Sequence, residues 1–138
     1  MTDDQHLTHL FVEFHEKLSS WEASVVEGKG LTTTQMHTLE ILGVHGPLRM
    51  KELADRLGVT TGSLTIQADR LEKKDLVRRV PHPTDRRSNV IEMTSTGKTL
   101  FEEHNRLHLE LTREITAGLD EEQREALGCC LDKIIESF

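Results

Sequence analysis

The sequence predicts a mainly α-helical fold with one small β-hairpin, in which a helix-turn-helix precedes two short strands. Three observations lead to this prediction. Apolar residues recur every three or four positions over most of the 138 residues. Gly28–Gly30, Gly46–Pro47 and Gly58 interrupt that period. Two runs that look like strands flank a turn that begins at Pro81. This length is typical of a single domain, and we expect one that completes itself by pairing.

The first predicted helix carries an apolar stripe that is long for a terminal helix. Its members step by three or four residues and are Leu7, Leu10, Phe11, Phe14, Leu18, Trp21 and Val25. The second predicted helix runs from Leu31 to Val44, with Thr32 or Thr33 as its N-cap. Its expected buried residues are Met36, Leu39 and Leu42.

A short third helix and a longer fourth helix form the predicted helix-turn-helix. The third runs from Lys51 to Leu57, and Gly58 occupies the position of a left-handed C-cap. The fourth runs from about Thr60 to Lys74. A rotation of ~100° per residue separates its two faces. Leu64, Ala68 and Leu71 are expected inside, and Gly62, Ile66, Arg70 and Lys73 outside, with Ser63 and Asp69 at the flanks. The outer face suits a DNA major groove.

The predicted hairpin and two further helices complete the chain. The strands are Val77–Val80 and Asn89–Met93, and the turn between them carries Asp85, Arg86 and Arg87. A long helix from about Ser95 to Gly118 and another from Glu121 to Phe138 follow. The last helix has an apolar stripe that places Cys130 inward and Cys129 at its flank; its members are Leu127, Cys130, Leu131, Ile134 and Phe138.

Charge is distributed unevenly along the chain. Residues 49–98 hold 11 basic and 7 acidic side chains, a net charge of +4, whereas the remainder holds 6 basic and 17 acidic ones, a net charge of −11. The overall charge of −7 hides this contrast. A polyanion is attracted to the first segment and repelled by the rest. Double-stranded DNA is therefore the expected partner.

These motifs resemble the MarR family of bacterial transcriptional regulators. The similarity rests on Leu53-Ala54-x-x-Leu57-Gly58, on Asp69-Arg70-Leu71-Glu72-Lys73-Lys74 before Leu76-Val77-Arg78-Arg79, and on Asp85-x-Arg87 leading to Met93-Thr94 and Gly97. The flanking helices also fit, so the resemblance covers nearly the whole chain. Two residues depart from the family pattern: Asp75 replaces the usual glycine, and Met93 the usual leucine.

The resemblance implies a winged helix-turn-helix whose N- and C-terminal helices interlock with those of a partner in a homodimer. Residues 1–138 would form a single domain, with a DNA-binding lobe at 31–98 and dimerisation helices at 1–27 and 99–138. Two-fold symmetry would place the two recognition helices in successive major grooves of a pseudo-palindromic operator, ~34 to 36 Å apart. The protein would be a regulator, expected to be a repressor, that a small effector releases or tunes.

The expected DNA contacts lie on the fourth helix and at the tip of the hairpin, which is the wing of this fold. They are Thr61, Ser63, Ile66, Arg70, Lys73, Arg86 and Arg87. The family's Asp-x-Arg pattern favours Arg87 as the residue that enters the minor groove. It leaves Arg86 nearer a phosphate, with Asp85 holding the hairpin.

Two histidines on the fifth predicted helix, His104 and His108, lie one turn apart with Glu103 beside them. Imidazoles at that spacing can share a metal ion, or they can be hydrogen-bonded groups that line a groove. His37 on the second helix is expected to face the same groove.

Together, Glu103-His104-x-x-x-His108 and Gln35-x-His37 resemble the zinc-sensing branch of the MarR family. That branch has a glutamate where this chain has Met36, and its linker cysteine has no counterpart here. Glu22 or Glu27 could substitute. Zinc is therefore one candidate ligand of this groove, and a small organic or phenolic effector is the other.

Other function classes fit less well. His104 and His108 have zincin spacing, but the glutamate that would act as general base after the first histidine is missing, so no enzyme is expected. The charge asymmetry argues against a purely structural dimeric module. Cys129 and Cys130 are read as packing residues in a reducing cytoplasm. The polar N-terminus and the absence of a long apolar run predict neither a signal peptide nor a membrane partner.

Overall fold

In the computed structural model, residues 2–138 form six α-helices and three β-strands. The helices are α1 (Asp3–Glu27), α2 (Thr33–His45), α3 (Met50–Leu57), α4 (Thr61–Lys73), α5 (Ser95–Ile115) and α6 (Glu121–Glu136). The strands are β1 (Leu48–Arg49), β2 (Val77–Pro81) and β3 (Asn89–Met93). The predicted mainly α-helical fold with a small hairpin is confirmed. Most predicted ends agree to within two residues, whereas α5 stops at Ile115 rather than at Gly118.

Side-chain caps explain where four of the helices begin. Thr2, Thr32 and Asp120 form capping boxes with the glutamine three residues later, and the Thr60 hydroxyl accepts a hydrogen bond from the backbone N–H of Ser63. Of the two candidates for the second helix, Thr32 is therefore the cap. Helix α3 differs, because its N-cap, Arg49, makes no capping hydrogen bond with its side chain.

The three strands form one antiparallel sheet in the order β1-β3-β2. Val77 pairs with Met93 and Val80 with Val90, whereas Arg49 of β1 pairs with Val90 from the other side. Strand β1 was not predicted, because a two-residue segment carries no periodic pattern. It places Arg49 on the far side of β3 from the end of β2.

The core of residues 2–101 lies where α2, α3, α4 and the end of α1 meet the sheet. Its largest fully buried apolar side chains are Val26, Met36, Leu39, Leu53, Leu64, Leu71 and Ile91. Leu64, Ala68 and Leu71 are the buried residues of α4, as the sequence predicted. Burial of this stripe fixes which face of α4 is exposed.

The link between α4 and β2 shows why the family pattern has glycine where this chain has Asp75. Asp75 has a φ of +56°, which is the left-handed region that favours glycine. Its carbonyl accepts a hydrogen bond from the hydroxyl of Thr94, 2.6 Å away. The chain approaches itself closely here, since a Cβ on Gly97 would lie 2.0 Å from the carbonyl oxygen of Leu76.

Residues 2–101 and 102–138 form two compact units. In the second unit, α6 has no buried residue. Leu127, Leu131 and Ile134 are 41%, 43% and 37% exposed. Cys129 and Cys130 are both exposed, so Cys130 does not pack inward within one chain as expected. No helix within residues 2–138 has the length and apolar character that crossing a membrane requires.

Candidate nucleic-acid interface

Helices α3 and α4 meet at a tight turn. Gly58 ends α3 with φ 68° and ψ 31°, and its N–H bonds to the carbonyls of Ala54 and Asp55. The backbone N–H of Val59 bonds to the Ala54 carbonyl at 3.0 Å, and Thr60 then caps α4. The predicted left-handed cap is confirmed. Helix, glycine turn and helix therefore form a helix-turn-helix.

The exposed face of α4 carries the residues that the sequence assigned to DNA. Thr61, Ser63, Ile66, Arg70 and Lys73 are all exposed. Ile66 is apolar and 55% exposed, so it can make an apolar contact with a thymine methyl group. Hydroxyl groups at the helix start and cations at its end offer hydrogen-bond donors to phosphates and to base edges.

Two cations on the exposed face of α4 and two at the tip of the wing are free for a ligand. Among residues 2–138, Arg70, Lys73, Arg86 and Arg87 form no ion pair within the chain. Each is exposed. An unpaired guanidinium or ammonium can bind a phosphate without first breaking an internal contact.

Other cations of the basic segment are already engaged. Arg79 donates to Glu72 at 2.6 Å and also to Asp69. The bonds to Glu72 and then to Asp69 raise the pKa of Arg79 above its usual value. This pairing neutralises the Asp69 carboxylate at the flank of the exposed α4 face. An anion that approaches this face therefore meets Arg70 and Lys73 beside a carboxylate that an internal cation already pairs.

Asp85 shapes the tip of the wing. Its carboxylate accepts hydrogen bonds from the backbone N–H of Arg87 and from the hydroxyl of Ser88, both at 3.0 Å. The bond from the Arg87 backbone, followed by the Ser88 bond and the positive charge of Arg49, lowers the pKa of Asp85. The prediction that Asp85 holds the hairpin is confirmed.

A second set of contacts at the wing was not singled out from the sequence. The Nδ1 atom of His82 accepts from the backbone N–H of Asp85 at 3.0 Å and of Thr84 at 3.2 Å. The Nε2 atom lies 3.2 Å from Nη2 of Arg49. Nη1 of Arg49 lies 3.8 Å from the Asp85 carboxylate. Arg49 and His82 are 33 residues apart, so no local pattern could reveal this contact.

The predicted metal-binding residues lie in different environments. His104 is fully buried in the folded chain, and its ring centroid lies 4.8 Å from that of His108, edge to face. Glu103 beside them is exposed. The sequence prediction that the two imidazoles share one helical face is confirmed, whereas metal binding stays a prediction.

His37 lies in the other unit, in an open groove between α1 and α2 of about 630 Å³. The groove is lined by His15, Leu18, Ser19, Glu22, Ala23, Thr33, Thr34, His37 and Glu40. Carboxylate oxygens of Glu22 and Glu40 lie within 4.8 Å of each other. Glu40 was not considered from the sequence, because only its spatial approach to α1 brings it to attention.

A helix-turn-helix followed by a sheet whose hairpin exposes arginines defines a winged-helix DNA-binding protein. The MarR family model matches residues 31–89. The transcriptional repressor MdtR of Bacillus subtilis is 38% identical over 78 residues, which are 56% of this chain. That match spans 50% of MdtR, half of its length.

Two further similarities extend over more of the chain. The multiple antibiotic resistance protein MarR of Salmonella typhimurium is 32% identical over 106 residues, 76% of this chain and 74% of that protein. The S. aureus MepR–DNA complex is 26% identical with a TM-score of 0.74, over 95% of this chain and 96% of MepR. The chain belongs to the MarR family of winged-helix transcription regulators. Relatives of this chain are named as transcriptional regulators, a class of proteins that are not enzymes.

Proposed function

We propose that this MarR-family regulator is a cytoplasmic repressor that binds a pseudo-palindromic operator as a homodimer and is released or tuned by a small effector. The exposed face of α4, with Arg70 and Lys73 free of internal ion pairs, carries the proposal. MdtR is named as a repressor, and MepR is described in complex with DNA, which supports both the DNA partner and the repressor role.

In the proposed docking, α4 enters the major groove with Thr61 and Ser63 near a phosphate and Ile66 against the bases. Arg70 reaches a base edge and Lys73 the backbone. The wing then places Arg87 in the adjacent minor groove and Arg86 at a phosphate. Contacts to phosphates position the protein, whereas contacts to base edges select the sequence.

Apolar side chains at both ends of the chain support the homodimer. Leu10 and Phe14 on α1 are 47% and 54% exposed, and α6 exposes Leu131, Ile134 and Phe138. We propose that 1–27 and 99–138 contribute the dimer contacts, and 31–98 the DNA contacts. Leu131→Asp should dissociate the dimer, because an unpaired buried carboxylate costs several kcal/mol. Sedimentation velocity measures this, and a wild-type monomer at micromolar concentration would contradict the pairing.

The groove between α1 and α2 is the proposed site of the effector. Leu18 and Ala23 offer apolar contacts, and His15, His37 and Thr34 offer hydrogen bonds, a mixture that suits a small aromatic acid. Such coupling is typically ~1 to 3 kcal/mol and reciprocal, so the operator should change effector affinity by the same factor.

Zinc is the second candidate effector, with His104 and His108 as its first ligands and Glu103 as a further candidate. The proximity of the two imidazoles on α5, whose ring centroids lie 4.8 Å apart, favours it. Zinc should be titrated into metal-free protein while operator binding is followed, with His104→Ala and His108→Ala alongside. If nanomolar free zinc leaves operator affinity unchanged, the groove should be screened with aromatic acids instead.

DNA affinity tests the docking directly. Arg70→Ala should weaken operator binding by about 1 to 3 kcal/mol and relax selectivity at one base pair if Arg70 reads a base edge. Arg87→Ala should lower affinity and remove sensitivity to minor-groove width. Arg113→Ala on α5, first shown by sedimentation velocity to remain a dimer, is the matched control and should bind as the wild type does. Wild-type affinity in both the Arg70 and the Arg87 variant would contradict the docking.

A further inference from the structure

The contact between Arg49 and His82 has an unusual chemistry. A guanidinium group has donors but no acceptor, whereas a neutral imidazole has one nitrogen that donates and one that accepts. The Nδ1 atom of His82 faces the backbone N–H groups of Thr84 and Asp85, and Nε2 faces Arg49. Donors therefore approach both ring nitrogens, and a neutral ring can satisfy only one side.

The backbone amides at the tip of the wing determine which ring nitrogen of His82 accepts a hydrogen bond. If Nδ1 accepts, it satisfies two backbone amides at 3.0 and 3.2 Å, so the ring proton lies on Nε2. The opposite tautomer, or a charged ring, would turn an N–H toward those amides. With the proton on Nε2, a ring N–H and a guanidinium N–H approach each other across 3.2 Å.

Two donors that converge in this way lack a shared acceptor. The nearby carboxylate of Asp85 does not fill that role, because its closest approach is 3.8 Å to the other terminal nitrogen of Arg49. Its oxygens already accept from Arg87 and Ser88. The side chain of Arg49 is 43% exposed, so an oxygen can reach the pair from outside.

Arg49 occupies the N-cap position of α3, where a residue with a side-chain oxygen would stabilise the helix more. Its side chain makes no capping hydrogen bond, whereas the side chain of a threonine or an aspartate caps α1, α2, α4 and α6. Arg49 pairs with Val90, and Val90 pairs on its other side with Val80 near the end of β2. Arg49 therefore lies close to His82, the residue that follows β2. The guanidinium is thus directed to the wing at the expense of the helix.

We propose that Arg49 and the Nε2–H group of His82 together bind one phosphate oxygen of the operator backbone at the base of the wing. A single anionic oxygen satisfies both donors with charge-assisted hydrogen bonds. The Nδ1 atom meanwhile holds the tip that carries Arg86 and Arg87. The inference rests on the proposed docking of the wing on DNA, and it adds two residues that position the wing on the duplex.

Arg49→Thr separates this role from a structural one, because the two roles predict opposite signs. Threonine restores a cap to α3, so the thermal midpoint should rise by about 2 to 5 °C. Operator affinity should fall about tenfold per half-site. The slope of log affinity against log salt should fall by about 1 per half-site. A variant that loses stability together with affinity, or keeps the wild-type salt slope, would overturn the proposal.

Replacing single phosphates by uncharged methylphosphonates in a duplex selected by the wild-type protein locates the contact. One position beside the wing should weaken wild-type binding about tenfold and leave binding by Arg49→Thr unaffected. Equal sensitivity of both proteins at every position sinks the idea. Arg70→Ala serves as the reference. If Arg70→Ala weakens binding while Arg49→Thr does not, only this inference fails. If neither substitution weakens binding, the docking itself is wrong.

Two variants of His82 separate its nitrogens. Asparagine places an oxygen near the position of Nδ1, and glutamine places an amide near that of Nε2. In His82→Asn, operator affinity should still fall when Arg87 is replaced, but the methylphosphonate should no longer weaken binding. In His82→Gln, the methylphosphonate should still weaken binding, but replacing Arg87 should have little further effect. Identical behaviour of the two variants would contradict the division of roles. Inorganic phosphate is titrated into the free protein as a second probe. Saturation below millimolar concentration, without any methylphosphonate effect, would assign the site to a free anion and overturn the DNA contact.

Discussion

The recognition helix α4 and the wing both expose arginines, but different forces hold them in place. Helix α4 is anchored by Leu64, Ala68 and Leu71, none of them more than 1% exposed. Residues 81–89 of the wing contain no buried residue, and the shape of the tip comes from hydrogen bonds to His82 and Asp85. One element is positioned by packing and the other by polar contacts at the surface.

This difference predicts how each element responds to its surroundings. Apolar burial involves no charged group, so protonation and ionic screening change it little, whereas hydrogen bonds at a partly exposed site depend on the charge of the groups that form them. The recognition helix should therefore keep its orientation over a wide range of conditions. The wing should respond more to pH and to ionic strength than α4 does.

The largest expected effect comes from removing an anchor of α4. Leu64→Ala should lower the free energy of unfolding by about 2 to 5 kcal/mol, because it leaves a cavity in the core. Ile66→Ala on the opposite face should change stability by less than about 0.5 kcal/mol while weakening operator binding. Urea denaturation measures both. Similar losses of stability in the two variants would show that packing does not position α4.

A smaller and more local effect is expected when Asp85 is protonated. Its pKa is lowered in the folded chain, so its contribution is present above the pKa of an unperturbed aspartate, about 3.9, and is lost as the pH falls through the folded value. The wing contacts of Asp85 should not vary between pH 6 and 8.

Hydrogen exchange followed by NMR checks this prediction at single amides. On acidification, the N–H of Arg87 should lose protection before the amides of α4 do, and Asp85→Asn should reproduce part of that loss at neutral pH. Simultaneous loss of protection in the wing and in α4 would mean that both elements depend on the same contacts.

The smallest effect is expected at the joint between the two elements. Asp75→Gly should raise the free energy of unfolding by about 0.5 kcal/mol, because relief at a φ of +56° slightly exceeds the greater entropy of glycine in the unfolded chain. Thermal unfolding measures the change. Asp75→Ala keeps the Cβ atom and should show no gain, and operator affinity should be unchanged in both. A stabilised alanine variant would point to a cause other than backbone strain.

Local patterns in the sequence were sufficient for the recognition helix and for much of the wing. The apolar period of α4 predicted its buried residues and its exposed face, and Gly58 predicted the turn before it. Both features depend on residues within about one or two helical turns, where chain geometry alone determines which side chains share a face. The strands β2 and β3, with Asp85 between them, were predictable for the same reason.

Tertiary structure decided which groups meet across the chain. Strand β1 exists because β3 offers it an edge, and the contact of Arg49 with His82 spans 33 residues. Glu22 and Glu40 approach each other because α1 packs beside α2. Sequence periodicity determines the faces of individual helices and strands, because rotation per residue is a local property. Contacts between distant residues also depend on sheet register and helix packing, which are established only when the whole core closes.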